Sequence, residues 1–441
     1  MTAERTVALG GERTVPVPDP IAAEYLLLAL RLGQRIEGLV DGYFGPADLK
    51  ARTDMESLPA PASLVADAER LRERAAAGVA EADRRDWLDR QIVALETHAR
   101  RLAGERLSYV EELRRLFDWQ PQRREDALFD EAAARVDGIL PGPGSVAERL
   151  AAWDGGLTVP EARLASVVEW LLAEFRRRAE EAFGLPDGES LTVRFVRDRP
   201  WGCYNWYDGG LRSRVEINLD LPVRVTSLVP LLAHEAYPGH HLEHAWKEAD
   251  LVDRRGRLEG SILLLNAPEC VISEGLADLG RRFAVPAESE IELLAEAVER
   301  AGVPAAEASG ASSARELAER AVAVAGARHV LDDVAVNAAL LRHADGRSHD
   351  ETLAYLVDVG RMAPERAAKR LEFIEHPVTR SYVFVYSEGE ALLARWLEAV
   401  PEADRAARFG RLLHEQLTPS AIAAEVAAQS GEVVSAPTTT R

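Results

Sequence analysis

One stretch, Leu228-Val-Pro-Leu-Leu-Ala-His-Glu-Ala-Tyr-Pro-Gly-His-His-Leu-Glu-His244, constrains this chain more than any other. An apolar run leads into His234-Glu235, and Pro238-Gly239 interrupts it just before His240-His241. A His-Glu pair at the end of a buried helix can present an imidazole to a zinc ion and a carboxylate to the water that the ion polarises. The usual spacing, H-E-x-x-H, sets two imidazoles at i and i+4 on one helical face. Here position 238 is proline, and the next imidazole, His240, stands at i+6. In a regular helix that position lies about 120° off the face of i and about 9 Å further along the axis. The two rings meet only if the backbone loops out between them. Pro238 lacks a backbone donor and Gly239 tolerates φ values that other residues avoid, so the pair that spoils the spacing can also bulge the helix. His241, at i+7, returns to the face but about two turns away. His240 is therefore the preferred second ligand, with His241 as its rival.

A third ligand has to come from elsewhere. Asn266-Ala-Pro-Glu-Cys-Val-Ile-Ser-Glu-Gly-Leu-Ala-Asp278 reads as a helix after Pro268, with Glu274 and Asp278 four apart on one face. That spacing suits a metal-binding carboxylate plus a second carboxylate, Asp278, that holds a ligating imidazole by its other ring nitrogen. Histidine is scarce, ten in 441 residues, yet four fall between Ala233 and Ala245, which makes an idle cluster hard to credit. Three protein ligands suffice for an ion with an open position, so His244 is placed on an exposed face beyond the site.

The string HEAYPGHH followed by SEGLAD resembles the bacterial family known as domain of unknown function 885, whose motif is H-E-x-x-P-G-H-H with a downstream E-G-[WL]-A. The layout is also similar to that of the gluzincin metallopeptidases. The resemblance runs from about Trp201 to Leu397. It implies a mainly helical, zinc-dependent, peptidase-like hydrolase, with His234, His240 and Glu274 on one Zn2+ and Glu235 as general base. Arg328 and Asp332 match the family's R-x-x-x-D, and Tyr386 and Gly389 match its Tyr-x-x-Gly; Val336-Asn337 departs from it where a histidine is expected.

Gluzincins often use a phenol or imidazole from a distant segment to donate to the developing oxyanion. Tyr386 is the candidate, with Tyr382 its rival one turn earlier. Arg380 is a candidate anchor for a substrate carboxylate. The expected reaction is hydrolysis of an amide in a peptide or small amide substrate. A zinc hydrolase of a small-molecule amide or ester, and a non-catalytic zinc protein with His241 or Cys270 completing the shell, are the competing readings.

The remainder predicts a mainly α, large multi-helix fold. A mobile arm spans 1–17, a helical subdomain 18–144 ends at Pro141-Gly-Pro-Gly144, a helical region 145–429 carries the site, and a disordered tail follows from 430. Leu191–Val196 and Arg214–Asn218 alternate like strands on either side of an aromatic turn, Trp201–Gly210, which predicts a small hairpin or sheet ahead of the zinc helix. Trp246–Arg257 reads as exposed, Arg315–Ala344 as one long helix, and His98 as a partly exposed helix residue. Arg328 and Asp332 read most simply as a buried ion pair, two unpaired surface charges being the alternative. A net charge of −20 argues against nucleic acid and anionic membranes as partners. Cys203 and Cys270 give no disulfide framework, and the cytoplasm is the expected compartment.

Overall fold

The helices form where the sequence supplies both an apolar stripe and a start signal. Ser145 and Ser348 each open a helix (Val146–Gly155 and His349–Asp358) through a reciprocal capping box with Glu148 and Glu351. Asp19 caps Pro20–Gly33, whose proline occupies the first turn where its missing N–H costs nothing. The computed structural model describes residues 19–305 and 310–430, so the expected arm and nearly all of the expected tail lie outside the described residues. Within them the fold is mainly helical with two small sheets, as the sequence predicts.

Two local expectations need correction. The long helix over Arg315–Ala344 is two helices, Ala314–Asp332 and Val334–His343, separated at Asp333. The segment after the histidine cluster is exposed only in part, at Asp253, Arg254 and Arg255: the chain continues through a π-helical stretch, Glu248–Arg254, in which Glu248, Asp250, Leu251 and Val252 are buried. Glu248 is held there by the backbone N–H groups of Gly210 and Leu211, at 2.9 and 3.0 Å, and by the Tyr207 hydroxyl.

Strand β1 (Val40–Tyr43) pairs antiparallel with β5 (Ile262–Leu264). The second sheet has the order β2-β4-β3: β2 (Ser190–Val196) runs parallel to β4 (Arg212–Asn218), and β3 (Cys203–Tyr207) is antiparallel to it. The two expected strands are thus neighbours but not a hairpin. The aromatic stretch between them is itself a strand, whose ring-bearing residues suit a pleated, half-buried surface.

Packing separates two apolar cores. The smaller gathers Ala22–Ala99 together with Val252, Leu258, Ile262, Leu264 and Ala267; the larger gathers residues from Ala94 to Ile422. The helices Tyr109–Phe117 and Asp126–Ile139 belong to the larger core, so Pro141-Gly144 falls within its span and the two cores part near Leu102.

The contact that positions the site is a crossing between Pro268–Ala284 and Val385–Glu398 (the Glu274 and Tyr386 helices). They meet backbone to backbone at Gly275 and Gly389. A Cβ on Gly275 would lie 2.4 Å from the Gly389 carbonyl carbon, and one on Gly389 would lie 2.2 Å from the Val271 carbonyl oxygen. No side chain fits between helices this close, and backbone cannot move aside as a flexible side chain can. Gly389→Ala is expected to lower stability by about 1–3 kcal/mol, the range of a forced overpacking. Urea midpoints of the variant and the parent, compared at equal transition slope, measure it.

Candidate metal centre

The His234 helix, Val225–Glu235, is buried on Val225, Leu228, Val229, Leu232 and Ala233, which drives its end into the larger core. It stops at Glu235. The backbone then takes non-helical angles at Ala236 and Gly239, the Tyr237–Pro238 peptide is cis, and a new helix runs over His240–Lys247. Two hydrogen bonds staple the loop: Gly239 N–H to the Ala233 carbonyl at 3.0 Å and Leu242 N–H to the Ala236 carbonyl at 3.3 Å. A Cβ at position 239 would sit 1.9 Å from the His234 carbonyl oxygen, so only glycine permits this return. The result is the convergence that a regular helix denies: the His234 and His240 rings stand 4.6 Å apart, edge to face.

Glu274 completes the group. Its Oε2 lies 3.3 Å from His234 Nε2 and 3.6 Å from His240 Nε2, and the three donor atoms fall within 4.8 Å of one another. Each ring is fixed from behind. His234 Nδ1 meets Asp278 Oδ1 at 2.8 Å, which leaves Nε2 for the shared point. His240 Nδ1 faces Ser273 Oγ at 3.2 Å and Glu243 Oε2 at 3.6 Å, with the Ser273 hydroxyl donating to Glu243 at 2.5 Å. The other Glu274 oxygen accepts from the Tyr382 hydroxyl at 2.6 Å.

Burial works against charge on both imidazoles, yet neighbouring carboxylates outweigh it. Asp278 and Glu274 raise His234 well above the ordinary histidine range, and Glu243 and Glu274 push His240 up to about 9. Burial also works against the Glu274 carboxylate, but the two rings hold its pKa well below the usual value. Glu274 Oε2 is buried and has no hydrogen-bond partner among the described residues. Two nitrogens and a carboxylate oxygen aimed at one point, with that oxygen otherwise orphaned, fit a divalent cation of the zinc type. His240, Glu243 and His244 also approach one another closely, but Glu243 already carries the Lys247 ammonium at 2.7 Å, a charge that disfavours a cation there.

These groups line a cavity of about 310 Å³ together with Glu235, Tyr386, Tyr204 and Asn205. Glu235 makes no ion pair or side-chain hydrogen bond among the described residues, and burial raises its pKa. Its backbone carbonyl accepts from Asn205 Nδ2, which ties the end of the helix to strand β3. Tyr386 is 42% exposed, its ring 6.5 Å from that of His234, with its hydroxyl uncommitted among the described residues. Tyr382 is the less free of the two phenols, being engaged by Glu274.

Several expectations are overturned by where the side chains lie. His241 points away from the cavity, fully buried between Ser213 Oγ at 2.8 Å and Glu189 Oε2 at 2.7 Å. His244 is not outside the site: it lines the cavity, stacks on His240 at 5.9 Å, and is pushed down to about 3 by burial. Arg380 does not reach the cavity lining; its guanidinium pairs with Glu112 at 2.9 Å and lies over the Tyr109 ring. Arg328 and Asp332 pair with Asp154 and Arg366 rather than with each other. His98 is 3% exposed, bonded to the Asn266 carbonyl, and lowered to about 4 by burial. Cys270 donates to the Leu264 carbonyl at 3.1 Å. Nothing in the sequence marks Asp41 or Ser273 as partners of the site, whereas Glu243, three residues after His240 in the same helix, is open to an i, i+3 reading.

No family model and no curated protein matches the chain. Among solved structures it resembles a candidate lipoprotein from Colwellia psychrerythraea, at 14% identity and a TM-score of 0.50, covering 84% of this chain and 67% of that one. A second, a candidate lipoprotein of unknown function from Shewanella oneidensis, aligns at 13% identity and a TM-score of 0.45 over 90% and 82% of the two chains. The first likeness is one of fold. No helix among the described residues is long and apolar enough to cross a membrane.

His240→Ala is expected to abolish tight zinc uptake, whereas His241→Ala keeps it and loses stability instead, through the cavity left by a fully buried ring and the loss of its hydrogen bonds to Ser213 and Glu189, the latter keeping Arg176 and Tyr237. Metal analysis after dialysis, set beside thermal midpoints for the two variants, separates these outcomes.

Proposed function

We propose that this chain is a zinc-dependent hydrolase of amide bonds, a peptidase of the kind implied by the HExxPGHH resemblance. The observation that carries the reading is the orphaned Glu274 Oε2 facing both Nε2 atoms, in a cavity that also holds an unengaged carboxylate, Glu235. His234, His240 and Glu274 would hold the ion. When bound, zinc supplies Lewis acidity, polarising a carbonyl and making water a stronger acid near neutral pH.

The chain's own residues account for the rest. Glu235 is free to accept a proton from water in the cavity and hand it to the departing amine, and its upward shift brings it nearer the pH at which such a shuttle works best. The Tyr386 hydroxyl, with no competing acceptor among the described residues and its ring near that of His234, would donate to an oxygen that gains charge. Asp278 keeps His234 in the tautomer that exposes Nε2, and Ser273 and Glu243 do the same for His240. The positions of His241 and Cys270 favour a site with room for substrate over a closed structural one, since neither turns toward the three donors. The small volume of the cavity supports a short peptide, and a small-molecule amide or ester remains the second reading on the same ground. The compartment we propose is the cytoplasm, on the two unpaired cysteines.

Glu235→Gln is expected to retain zinc and lose activity by about 10²–10⁴, the usual contribution of a general base. Hydrolysis of a short-peptide panel by the zinc-loaded protein, with a chelator control, reads it. A variant with full turnover would remove Glu235 from this role.

A further inference from the structure

The cavity lining is acidic in an uneven way. It includes Asp41, Glu235, Glu269 and Glu274 and, among the described residues, no arginine or lysine. Glu274 faces the two imidazoles, and Glu269 is neutralised by the Lys247 ammonium at 2.7 Å. Asp41 is different. It comes from β1, in the smaller core, and reaches the cavity beside β5. Its only hydrogen-bond partner among the described residues is the Tyr204 hydroxyl, and no cationic side chain there pairs with it. It lines the same cavity of about 310 Å³ as the three donors.

A second observation points to a ligand independently. Gln91, from Ala82–Leu102, is 2% exposed and lines the same cavity, and its Nε2 is buried with no acceptor among the described residues. Buried amide donors in folded proteins are almost always satisfied, so this one calls for an acceptor that arrives with a ligand. A carboxylate wanting a cation beside the donors, and an N–H wanting a carbonyl in the same cavity, are complementary to the two ends of a short peptide unit. An anionic group would meet the N–H but would be repelled by Asp41.

We propose that the site takes peptides or amino-acid amides with a free, protonated α-amine, that Asp41 receives this ammonium, and that the bond broken therefore lies beside the N-terminus. The proposal rests on the hydrolase reading above and adds the substrate class to it. Tyr204 orients the Asp41 carboxylate, and the apolar wall of Ile262, Leu263 and Leu264 accommodates an uncharged side chain.

The test uses the zinc-loaded full chain and three hydroxamates that need no turnover, with affinities read by calorimetry: leucine hydroxamate, N-acetyl-leucine hydroxamate, and N-acetyl-lysine hydroxamate. Leucine hydroxamate is expected to bind at least about tenfold tighter than its N-acetyl form, the size of a charge-assisted hydrogen bond. In Asp41→Asn the difference should vanish, mainly by weakening the free-amine compound. Equal affinities in the parent protein would overturn the amine assignment and leave the hydrolase reading intact. Tight binding of N-acetyl-lysine hydroxamate would overturn the α-amine in favour of a side-chain amine. If the preference persists in Asp41→Asn, Asp41 is not the receptor. Loss of hydrolysis on unblocked peptides with the preference retained would break the hydrolase reading alone, and failure of all three compounds to bind would break both. The comparison within the parent protein stands even if the variant does not fold.

Discussion

The carbonyl oxygen of His234 occupies the space that a side chain at position 239 would need, and the rest of the centre follows from that closeness. Six residues separate His234 from His240, a spacing that a straight helix spreads over the wrong faces. Ending one helix at Glu235 and starting another at His240 folds that distance away, and the carbonyls of Ala233 and Ala236 are satisfied across the break instead of being left bare. Pro238 packs on the far side, close enough to Gly280 that a Cβ there would meet its ring at 3.0 Å, so the loop is pinned by the Glu274 helix as well as by its own hydrogen bonds. The position of His240 is thus set by packing and not by helical periodicity.

What the sequence made legible follows the same division between local and distant forces. The helices, their caps and the His234–His240–Glu274–Asp278 set were readable because spacing along one segment, and the chemistry of the residues on it, carry that information. The parallel pairing of β2 with β4 was not, since the alternation of a strand is silent about which neighbour it joins. Nor was the role of His244. An imidazole one turn beyond a ligand looks solvated from its sequence neighbours, and only the stack on His240 and the contact with Tyr207 reveal its burial. Arg380 failed for the opposite reason: a guanidinium near the tyrosine pair suggests an anchor, but Glu112, 268 positions earlier, already holds it.

The charges around the centre form two rings of different purpose. The inner one gathers Nε2, Nε2 and Oε2; the outer one, Asp278 with Ser273 and Glu243, engages the Nδ1 atoms. Lys247 balances Glu243, so the outer carboxylates do not simply add to the negative field. Carboxylate partners behind imidazole ligands raise their basicity and fix their orientation.

The pairing of β1 with β5 carries an implication for how such a molecule can be dissected. It lays Asp41 and the wall residues Ile262–Leu264 side by side, while Tyr25 and Gln91 close the same hollow from the smaller core. Every recognisable motif falls between Trp201 and Leu397, but the chamber they face is walled partly by residues about two hundred positions upstream. Truncation to the motif-bearing segment would keep the signature and open the vessel, stripping Leu264 and Ala267 of their partners and flooding the donors with bulk water.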